Sequence, residues 1–315
     1  MSLAIADGTE PGLTVGLRPV STAPASWEWN SEVMEAAVRS LGVRTRRVSR
    51  ARFVTSDSQT WSHTMAPPTF RAWSGRMSGL RNKQVALGRL EAAGVQVAPR
   101  AVFTRAGDAA RFVKAHAPVV VKPVAGCKGS GVTVGVSTPV ELDAAARAAG
   151  SPFLVEPQLF GVEYRIFATM DGALAAVRRD PPSVVGDGRS TLLELVAAEN
   201  GRRVSPTLES MPAPPVDLAG EVPAPGEVVV VSRVANVSTG GVSHDVTDLL
   251  GTDLAREAAL AVAAVDAAGV LHGGVDVLAG HVLEVNHAAS LRVHLAPAHG
   301  SVRRVDLALA ERYHL

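Results

Sequence analysis

The spacing of apolar positions changes along the chain, and each change predicts a different element. In residues 31–42, SEVMEAAVRSLG, apolar side chains recur three and four positions apart, which is typical of an amphipathic helix. A strand candidate, LTVGL, precedes this helix at 13–17. All four tryptophans fall within residues 1–78, and a new helix is predicted at 82–94, NKQVALGRLEAAG, because a glycine ends its periodic pattern. We therefore expect a separate N-terminal domain over 1–78.

Beyond this second helix, predicted strands and helices alternate. Apolar runs bounded by turn residues predict strands at 118–123, 132–136, 153–170, 172–179 and 227–234. One helix is predicted at 107–116, and another begins at a capping box of Thr138 and Glu141 with Pro139 in the first helical position. A long helix is predicted at 247–269. This alternation marks a second unit that starts near residue 82.

The segment 119–136, VVVKPVAGCKGSGVTVGV, places glycines between two β-branched runs. Gly126, Gly129 and Gly131 allow the backbone to approach a ligand closely. After Gly131 the chain reads Val-Thr, where a Walker loop needs Lys followed by Ser or Thr. It then continues as a strand, where a dinucleotide fingerprint needs another glycine and a helix. We therefore predict a loop that joins two antiparallel strands.

Two lysines and the sole cysteine lie in this segment. Lys122 ends the first strand and Lys128 lies in the loop, so ammonium groups and loop amides are expected to surround a polyphosphate. An ordinary glycine-rich hairpin is the alternative interpretation. Cys127 is expected to be a small filler residue, and a single cysteine can form no internal disulfide, which fits a reducing compartment.

A hairpin near the C-terminus predicts two opposed carboxylates. Strands are expected at 275–278 and 282–286, joined by a three-residue loop, 279–281. This register puts Asp276 directly opposite Glu284, with Cβ atoms roughly 4.5 to 5.5 Å apart. Like charges in such positions destabilise a sheet. A cation between the two carboxylates would remove that penalty.

Magnesium is the cation that this arrangement suits. Asn286 lies two residues beyond Glu284, so its amide oxygen is expected on the same face. Two carboxylates and an amide match magnesium, which completes its octahedron with water and phosphate oxygens. An unoccupied pair in which one carboxylate has a raised pKa is the alternative. Zinc is less favoured, because no histidines of this region recur at i, i+4 on a helix and no thiol is near.

Composition and charge restrict the partners. The formal net charge is +1 and aromatic residues make up 4% of the chain, so neither a basic field nor stacking platforms argue for nucleic acid. The first residues show no secretory signal, and no apolar run approaches the length of a membrane span. We therefore expect a cytoplasmic protein with small-molecule ligands and no membrane or nucleic-acid partner.

The lysines, the glycine loop and the Asp…Glu-x-Asn pattern together resemble the ATP-grasp superfamily. Three longer motifs, PPSVVGDGRSTLLEL, RVANVSTGGVSHDVTD and GGVDV…LEVNHAASLRVHLAP, are similar to the ATP-grasp part of cyanophycin synthetase and of bifunctional glutathione synthetases. The likeness covers about residues 82–300. It implies an α+β fold in which two subdomains, expected at 79–156 and 157–315, grip ATP, preceded by a small α/β domain at 1–78.

The resemblance also implies roles for individual residues. Contacts with phosphates, adenine and ribose are implied for Lys83, Lys122, Gly126, Lys128, Gly129, Ser130, Gly131, Glu156, Leu159 and Glu163. Asp276, Glu284 and Asn286 would hold one or two Mg²⁺ ions, with Mn²⁺ as a substitute. Arg233 would lie near the transferred phosphate.

The activity that the resemblance implies is an ADP-forming carboxylate-amine ligase that acts through an acyl phosphate. Its carboxylate and amine substrates are expected to be amino acids or small peptides. A nucleotide-binding accessory protein without turnover and a ligase that modifies a protein terminus are the alternatives. A homodimer is a further open expectation.

One substrate contact is predicted from the chain itself. The segment after Asn286 reads NHAAS, without the proline-glycine usual in the family, so a different loop path is expected there. Arg292 is predicted to anchor a substrate carboxylate, with His294 on the same side if the segment is extended. In the alternative interpretation, Arg292 pairs with a nearby acid and braces the loop.

Overall fold

A computed structural model describes residues 26–56, 60–62, 79–126, 129–203 and 208–314. The strand candidate at 13–17 lies outside these ranges. The helices of the described residues are α1 (Ser26–Ser40), α2 (Lys83–Ala92), α3 (Ala106–His116), α4 (Pro139–Ala149), α5 (Leu192–Arg202), α6 (Ala255–Ala268), α7 (Arg292–Leu295) and α8 (Val305–His314). The strands are β1 (Thr45–Ser49), β2 (Arg52–Thr55), β3 (Thr60–Ser62), β4 (Ala101–Phe103), β5 (Val119–Pro123), β6 (Thr133–Val136), β7 (Phe153–Pro157), β8 (Glu163–Thr169), β9 (Ala173–Asp180), β10 (Ser183–Val185), β11 (Val228–Val230), β12 (Val242–Asp245), β13 (His272–Leu278) and β14 (His281–Asn286).

A four-stranded antiparallel sheet, in the order β4-β7-β5-β6, carries the glycine segment. Strands β5 and β6 pair antiparallel, which confirms the predicted strand-loop-strand arrangement. Val119 and Val121 of β5 are fully buried in a core shared with α3 and α4. Helix α4 begins at the predicted capping box, in which Thr138 Oγ1 accepts a hydrogen bond from the Glu141 amide at 3.3 Å.

A five-stranded antiparallel sheet, in the order β12-β9-β8-β13-β14, has an apolar core on each face. Because side chains alternate along a strand, Ile166 of β8 faces a core with α2 and α6, whereas Phe167 faces a core with α1 and α8. Helix α2 therefore packs on this sheet, although it precedes the four-stranded sheet in the chain. Helix α1 also shares its core, so the N-terminal part of the chain is packed against the C-terminal part.

Two smaller sheets complete the described strands. Strands β1, β2 and β3 form one antiparallel sheet, and β10 pairs with β11. Among the described residues, no helix has both the length and the apolar character needed to cross a membrane.

The β13–β14 hairpin has the predicted pairing of Asp276 with Glu284 but a different turn. The loop contains two residues, Ala279 with φ 50° and Gly280 with φ 73°, so the predicted three-residue loop is wrong. Positive φ at both positions is typical of a type I′ turn, which matches the twist of the strands. The pairing shifts between Asp276 and Val277, and this bulge restores the predicted opposition of the carboxylates.

Two other predicted elements are shorter than expected. The helix predicted from residue 247 begins at Ala255, because a 3₁₀ turn, Thr247–Leu249, comes first. Strands β9 and β12 hold Thr247 in place. Its Oγ1 accepts a hydrogen bond from the Ala176 amide of β9 at 3.1 Å and donates one to Asp245 of β12 at 2.6 Å. The strand predicted at 227–234 covers only Val228–Val230.

Candidate functional site

A cleft of about 1760 Å³ is lined by residues of both large sheets. Thirteen residues that the sequence singled out lie on its wall: Lys83, Lys122, Gly126, Gly129, Ser130, Glu156, Leu159, Glu163, Arg233, Asp276, Glu284, Asn286 and Arg292. Gly131 does not line the cleft, and Lys128 lies outside the described residues, as does Cys127. The structure thus brings together groups that are up to about two hundred residues apart in the chain.

The charged end of β5 is explained by a partner on the neighbouring strand. Lys122 Nζ lies 2.6 Å from Glu156 Oε1 of β7, and both side chains are 8% exposed. Val120 is the residue directly paired with Glu156, so Lys122 and Glu156 are diagonal neighbours on one face of the sheet. The family resemblance implies that these residues contact different parts of a nucleotide, and the sequence did not predict that they pair with each other.

The glycine loop approaches two other segments closely. A Cβ on Gly131, where φ is 71°, would lie 2.9 Å from the carbonyl oxygen of Ala148 near the end of α4. A Cβ on Gly129 would lie 3.2 Å from Cγ1 of Val234. Gly131 therefore allows the loop to pack on α4, while Gly129 brings the loop against the segment that carries Arg233.

Asp276 lies between two arginines that the sequence interpretation missed. Arg165 of β8 is its cross-strand partner and binds both carboxylate oxygens, one of them at 2.9 Å. Arg179 of β9 approaches Asp276 Oδ1 at 2.9 Å and also pairs with Glu163. Alternation along β8, which puts Glu163 and Arg165 on one face, was the available signal, but the strand order was needed to use it.

This network changes the proton affinities of its acids in opposite directions. Burial favours a raised pKa for Asp276, but the charges of Arg165 and Arg179 outweigh it and hold the pKa below its usual value. For Glu163 burial prevails over the attraction of Arg179, and its pKa is raised. Positive charge thus offsets the repulsion that the sequence predicted between Asp276 and its neighbour Glu284.

The other carboxylate of the hairpin faces the glycine loop. Glu284 Oε1 lies 3.6 Å from Lys83 Nζ, and the same ammonium group donates to the Gly126 carbonyl at 2.9 Å. Asn286 Nδ2 lies 3.4 Å from Glu284 Oε2, which leaves the amide oxygen of Asn286 for another partner. Lys83 therefore links the hairpin to the loop across the cleft.

The donor set at this hairpin fits magnesium. Asp276, Glu284 and Asn286 all line the cleft and carry oxygen atoms, which Mg²⁺ prefers, but Arg165 binds both oxygens of Asp276. Within the described ranges, no group of three or more His, Cys, Asp and Glu side chains is placed to hold a metal ion. An ion here would therefore depend on the amide oxygen, water and phosphate oxygens as well as the carboxylates.

Two further arginines line the cleft, and they differ in whether an acidic side chain pairs with them. None of the ion pairs formed by the described residues includes Arg233, whereas Arg292 forms one. Nη1 of Arg233 lies close to the backbone of Gly135, since a Cβ on this glycine would be only 3.0 Å from it. Arg292 Nη1 instead donates to Glu209 Oε1 at 2.9 Å, so the pairing with a nearby acid that the sequence left open is present.

His294 does not lie beside Arg292 in the cleft, a position expected only for an extended segment. The segment is helical rather than extended, so residues two apart point to different sides. His294 is 1% exposed, packs edge-on against Phe167 at 5.9 Å, and has no hydrogen-bond partner on either ring nitrogen among the described residues. Burial, aided by the charge of Arg165, lowers its pKa to about 3.

Comparison with known proteins gives two groups of curated relatives. The cyanophycin synthetase of Trichormus variabilis is 30% identical over 214 residues, which cover 60% of this chain and 24% of that protein. The glutathione biosynthesis bifunctional protein GshAB of Enterococcus faecalis is 30% identical over 260 residues, which cover 72% of this chain and 34% of that protein. The chain thus spans about a quarter to a third of the length of these relatives. No protein-family model matches the chain.

Solved structures resemble most of the chain. A bifunctional glutathione synthetase from Pasteurella multocida matches with a TM-score of 0.58 and 23% identity, over 91% of this chain and 44% of that chain. The ATP-grasp ligase PsnB, complexed with a minimal precursor, Mg and ADP, matches with a TM-score of 0.51 and 14% identity, over 90% of this chain and 93% of that chain. At these identities, the likeness shows a shared fold.

Proposed function

The chain is an ATP-grasp protein, and we propose that it is an ADP-forming carboxylate-amine ligase. The observation that carries this proposal is the bridge made by Lys83, which contacts both the glycine loop at Gly126 and the carboxylate of Glu284. Under this proposal, the loop that would bind phosphate and the oxygen donors that would bind a cation face each other across one cleft. Phosphoryl transfer needs this combination of positioning and charge neutralisation.

The nucleotide would lie between the two large sheets. We infer that Lys83, Lys122 and the amides of the loop bind its phosphates, with Ser130 and Lys128 in the same loop. Glu156 and Leu159 would border the adenine, and Glu163 the ribose. Since Lys122 and Glu156 already neutralise each other, the pair would add little net charge to the site.

Asp276, Glu284 and Asn286 would hold magnesium. A bound magnesium ion neutralises negative charge on phosphate oxygens and thereby favours transfer of the terminal phosphoryl group. The chain's own cations complement this effect. Arg233 pairs with no acid among the described residues, so its charge is available to the phosphoryl group in transfer.

The reaction would proceed in two steps. An oxygen of the substrate carboxylate attacks the terminal phosphorus of ATP, and the bond to the ADP oxygen breaks. The amine nitrogen of the second substrate then attacks the carbonyl carbon of the acyl phosphate. Phosphate leaves, the nitrogen loses a proton, and an amide forms. The closed cleft would exclude water, which otherwise hydrolyses the acyl phosphate.

We propose amino acids or small peptides as the two substrates. The Arg292–Glu209 pair lines the cleft, and each of its charges matches one end of such a molecule: Arg292 a carboxylate, Glu209 an ammonium group. A bound amino acid could thus replace the Arg292–Glu209 ion pair by two ion pairs, one between its carboxylate and Arg292 and one between its ammonium group and Glu209.

Several expectations about the whole protein remain predictions. They are a cytoplasmic location, a homodimer, a small α/β domain over 1–78, and domain boundaries at 79–156 and 157–315.

A substrate screen tests the proposal. Amino acids and dipeptides are supplied in pairs with ATP and magnesium, and release of ADP is measured together with the intact mass of every product. We expect ADP release that depends on a pair and a product lighter by one water than the sum of its substrates. ATP binding without ADP release for any pair would favour an accessory protein, and a mass increase on a protein substrate would favour a ligase that acts on a protein terminus.

A further inference from the structure

One side chain of α1 binds the backbone just beyond the magnesium-site hairpin. Asn30 is 1% exposed, although α1 lies more than two hundred residues away in the chain. Its Nδ2 donates to the Ala289 carbonyl at 2.9 Å, and its Oδ1 accepts from the Leu291 amide at 3.1 Å. A single amide thus satisfies a donor and an acceptor of the same loop.

The loop needs such a partner because its sequence supplies no rigid turn. Residues 287–291 read HAASL, without proline or glycine. Ala289 and Leu291 are buried at 4% and 0% exposure, so their backbone groups have little access to water. A buried backbone group without a partner costs free energy comparable to a lost hydrogen bond. Asn30 therefore supplies through a long-range contact what the local sequence lacks.

The loop leads directly to the cleft. Leu291 immediately precedes α7, and the first residue of α7 is Arg292, which lines the cleft. On the other side of the contact, Trp29 lies next to Asn30 in α1 and also lines the cleft. The two hydrogen bonds therefore join a wall contributed by α1 to the segment that carries Arg292.

We propose that Asn30 is a positioning residue that fixes residues 289–292, so that α1 completes the substrate end of the active site. This inference rests on the proposed ligase function for its kinetic consequence, but not for its structural one. According to this inference, α1 affects the affinity for a substrate, whereas other elements form the end of the cleft where the nucleotide would bind.

The structural consequence is tested by hydrogen-deuterium exchange of the full chain. Asn30→Asp keeps the shape but puts a carboxylate oxygen in place of the donor to Ala289, so the repulsion between this oxygen and the Ala289 carbonyl should displace the loop, and Asn30→Leu removes both bonds. Ser31→Ala is the matched control, because Ser31 is an equally buried polar neighbour on α1 whose side chain binds Arg47 at 3.2 Å instead. We expect exchange of a peptide containing Leu291 to become at least about tenfold faster in both Asn30 variants and unchanged in Ser31→Ala.

The kinetic consequence is tested with the amino-acid pair that releases most ADP in the screen. We expect KM for one amino acid to rise at least about fivefold in Asn30→Asp, while KM for ATP stays within the range of Ser31→Ala. If Asn30→Leu fails to fold, Asn30→Asp decides both tests.

Unchanged exchange at Leu291, or an equal change in Ser31→Ala, would overturn the positioning role. Faster exchange with KM values unaltered would show that Asn30 stabilises the loop without acting on substrate, which also overturns it. If no pair releases ADP, the proposed function fails, and the proposal about Asn30 fails with it only if exchange is also unchanged. The two failures are therefore distinguishable.

Discussion

The two large sheets both bury ionic groups at the cleft, but they do so in different ways. In the four-stranded sheet, Lys122 and Glu156 form one pair, each 8% exposed. In the five-stranded sheet, Asp276 pairs with both Arg165 and Arg179, and Arg179 also pairs with Glu163. The first arrangement has no second partner for either charge within the described residues, whereas the second shares its charges among several.

This difference predicts how much stability each sheet loses when one of its charged residues is substituted. Removing one member of an isolated buried pair leaves a charge that neither water nor another group neutralises, which is costly. In the network, Asp276 retains one arginine when the other is lost.

The largest expected effect breaks the isolated pair. Lys122→Met should lower the free energy of unfolding by about 3 to 5 kcal/mol, because Glu156 stays buried and unpaired. Arg179→Met should cost less, since Arg165 still binds Asp276. Urea unfolding of both variants measures the contrast. The double variant Lys122→Met, Glu156→Leu serves as the control and should recover most of the loss, and equal losses in the two single variants would contradict the comparison.

The next effect concerns activity at the five-stranded sheet. Glu284→Gln should reduce ADP formation about a hundredfold, because it removes a charge at the proposed metal site and keeps the shape. Its stability should change little, since Glu284 is 35% exposed. Steady-state ADP release at several magnesium concentrations is the measurement. Glu91→Gln, which alters an exposed carboxylate paired with Arg100 away from the cleft, is the matched control. Near-normal turnover of Glu284→Gln would remove this carboxylate from the site.

The third effect is a pH dependence of stability that comes from His294, which packs on Phe167 of the five-stranded sheet. The pKa of His294 is lowered to about 3, so between pH 6.5 and 3 the unfolded chain binds a proton there that the folded chain does not. Stability should therefore fall as pH falls, by about 2 kcal/mol between pH 6.5 and 5 from this group. His294→Leu should remove this contribution to the pH dependence of the free energy of unfolding, which urea unfolding measures at each pH. An identical slope in both proteins would contradict the assignment.

The smallest effect compares two helices that begin in the same way. Thr138 opens α4 beside the four-stranded sheet, and Thr191 opens α5 beside β10, each with a complete capping box. Thr138→Ala and Thr191→Ala should each lower the free energy of unfolding by about 1 kcal/mol, since a cap acts locally. Chemical unfolding of the two variants should give similar values. A loss several times larger in one of them would show that its helix end has a further role.

Local features of the fold were predicted well from the sequence. The antiparallel strands around the glycine loop, the capping box at Thr138 and the pairing of Asp276 with Glu284 depend on turn chemistry and alternation over a few residues. The hairpin shows the limit of such reasoning, because the predicted register is correct although the two-residue turn and the bulge behind it were both missed. Two local errors cancelled at the position that mattered for the site.

The sequence by itself determined the order of the elements, the glycine positions and many of the polar residues that line the cleft. Only the tertiary structure decided which of those groups are partners: Lys122 with Glu156, Asp276 with Arg165 and Arg179, and Asn30 with the loop after Asn286. Turns and caps depend on neighbours along the chain, so their signals are local. The partner of a buried charge or amide depends on strand order and on the packing of distant helices, and the sequence near either partner carries no record of it.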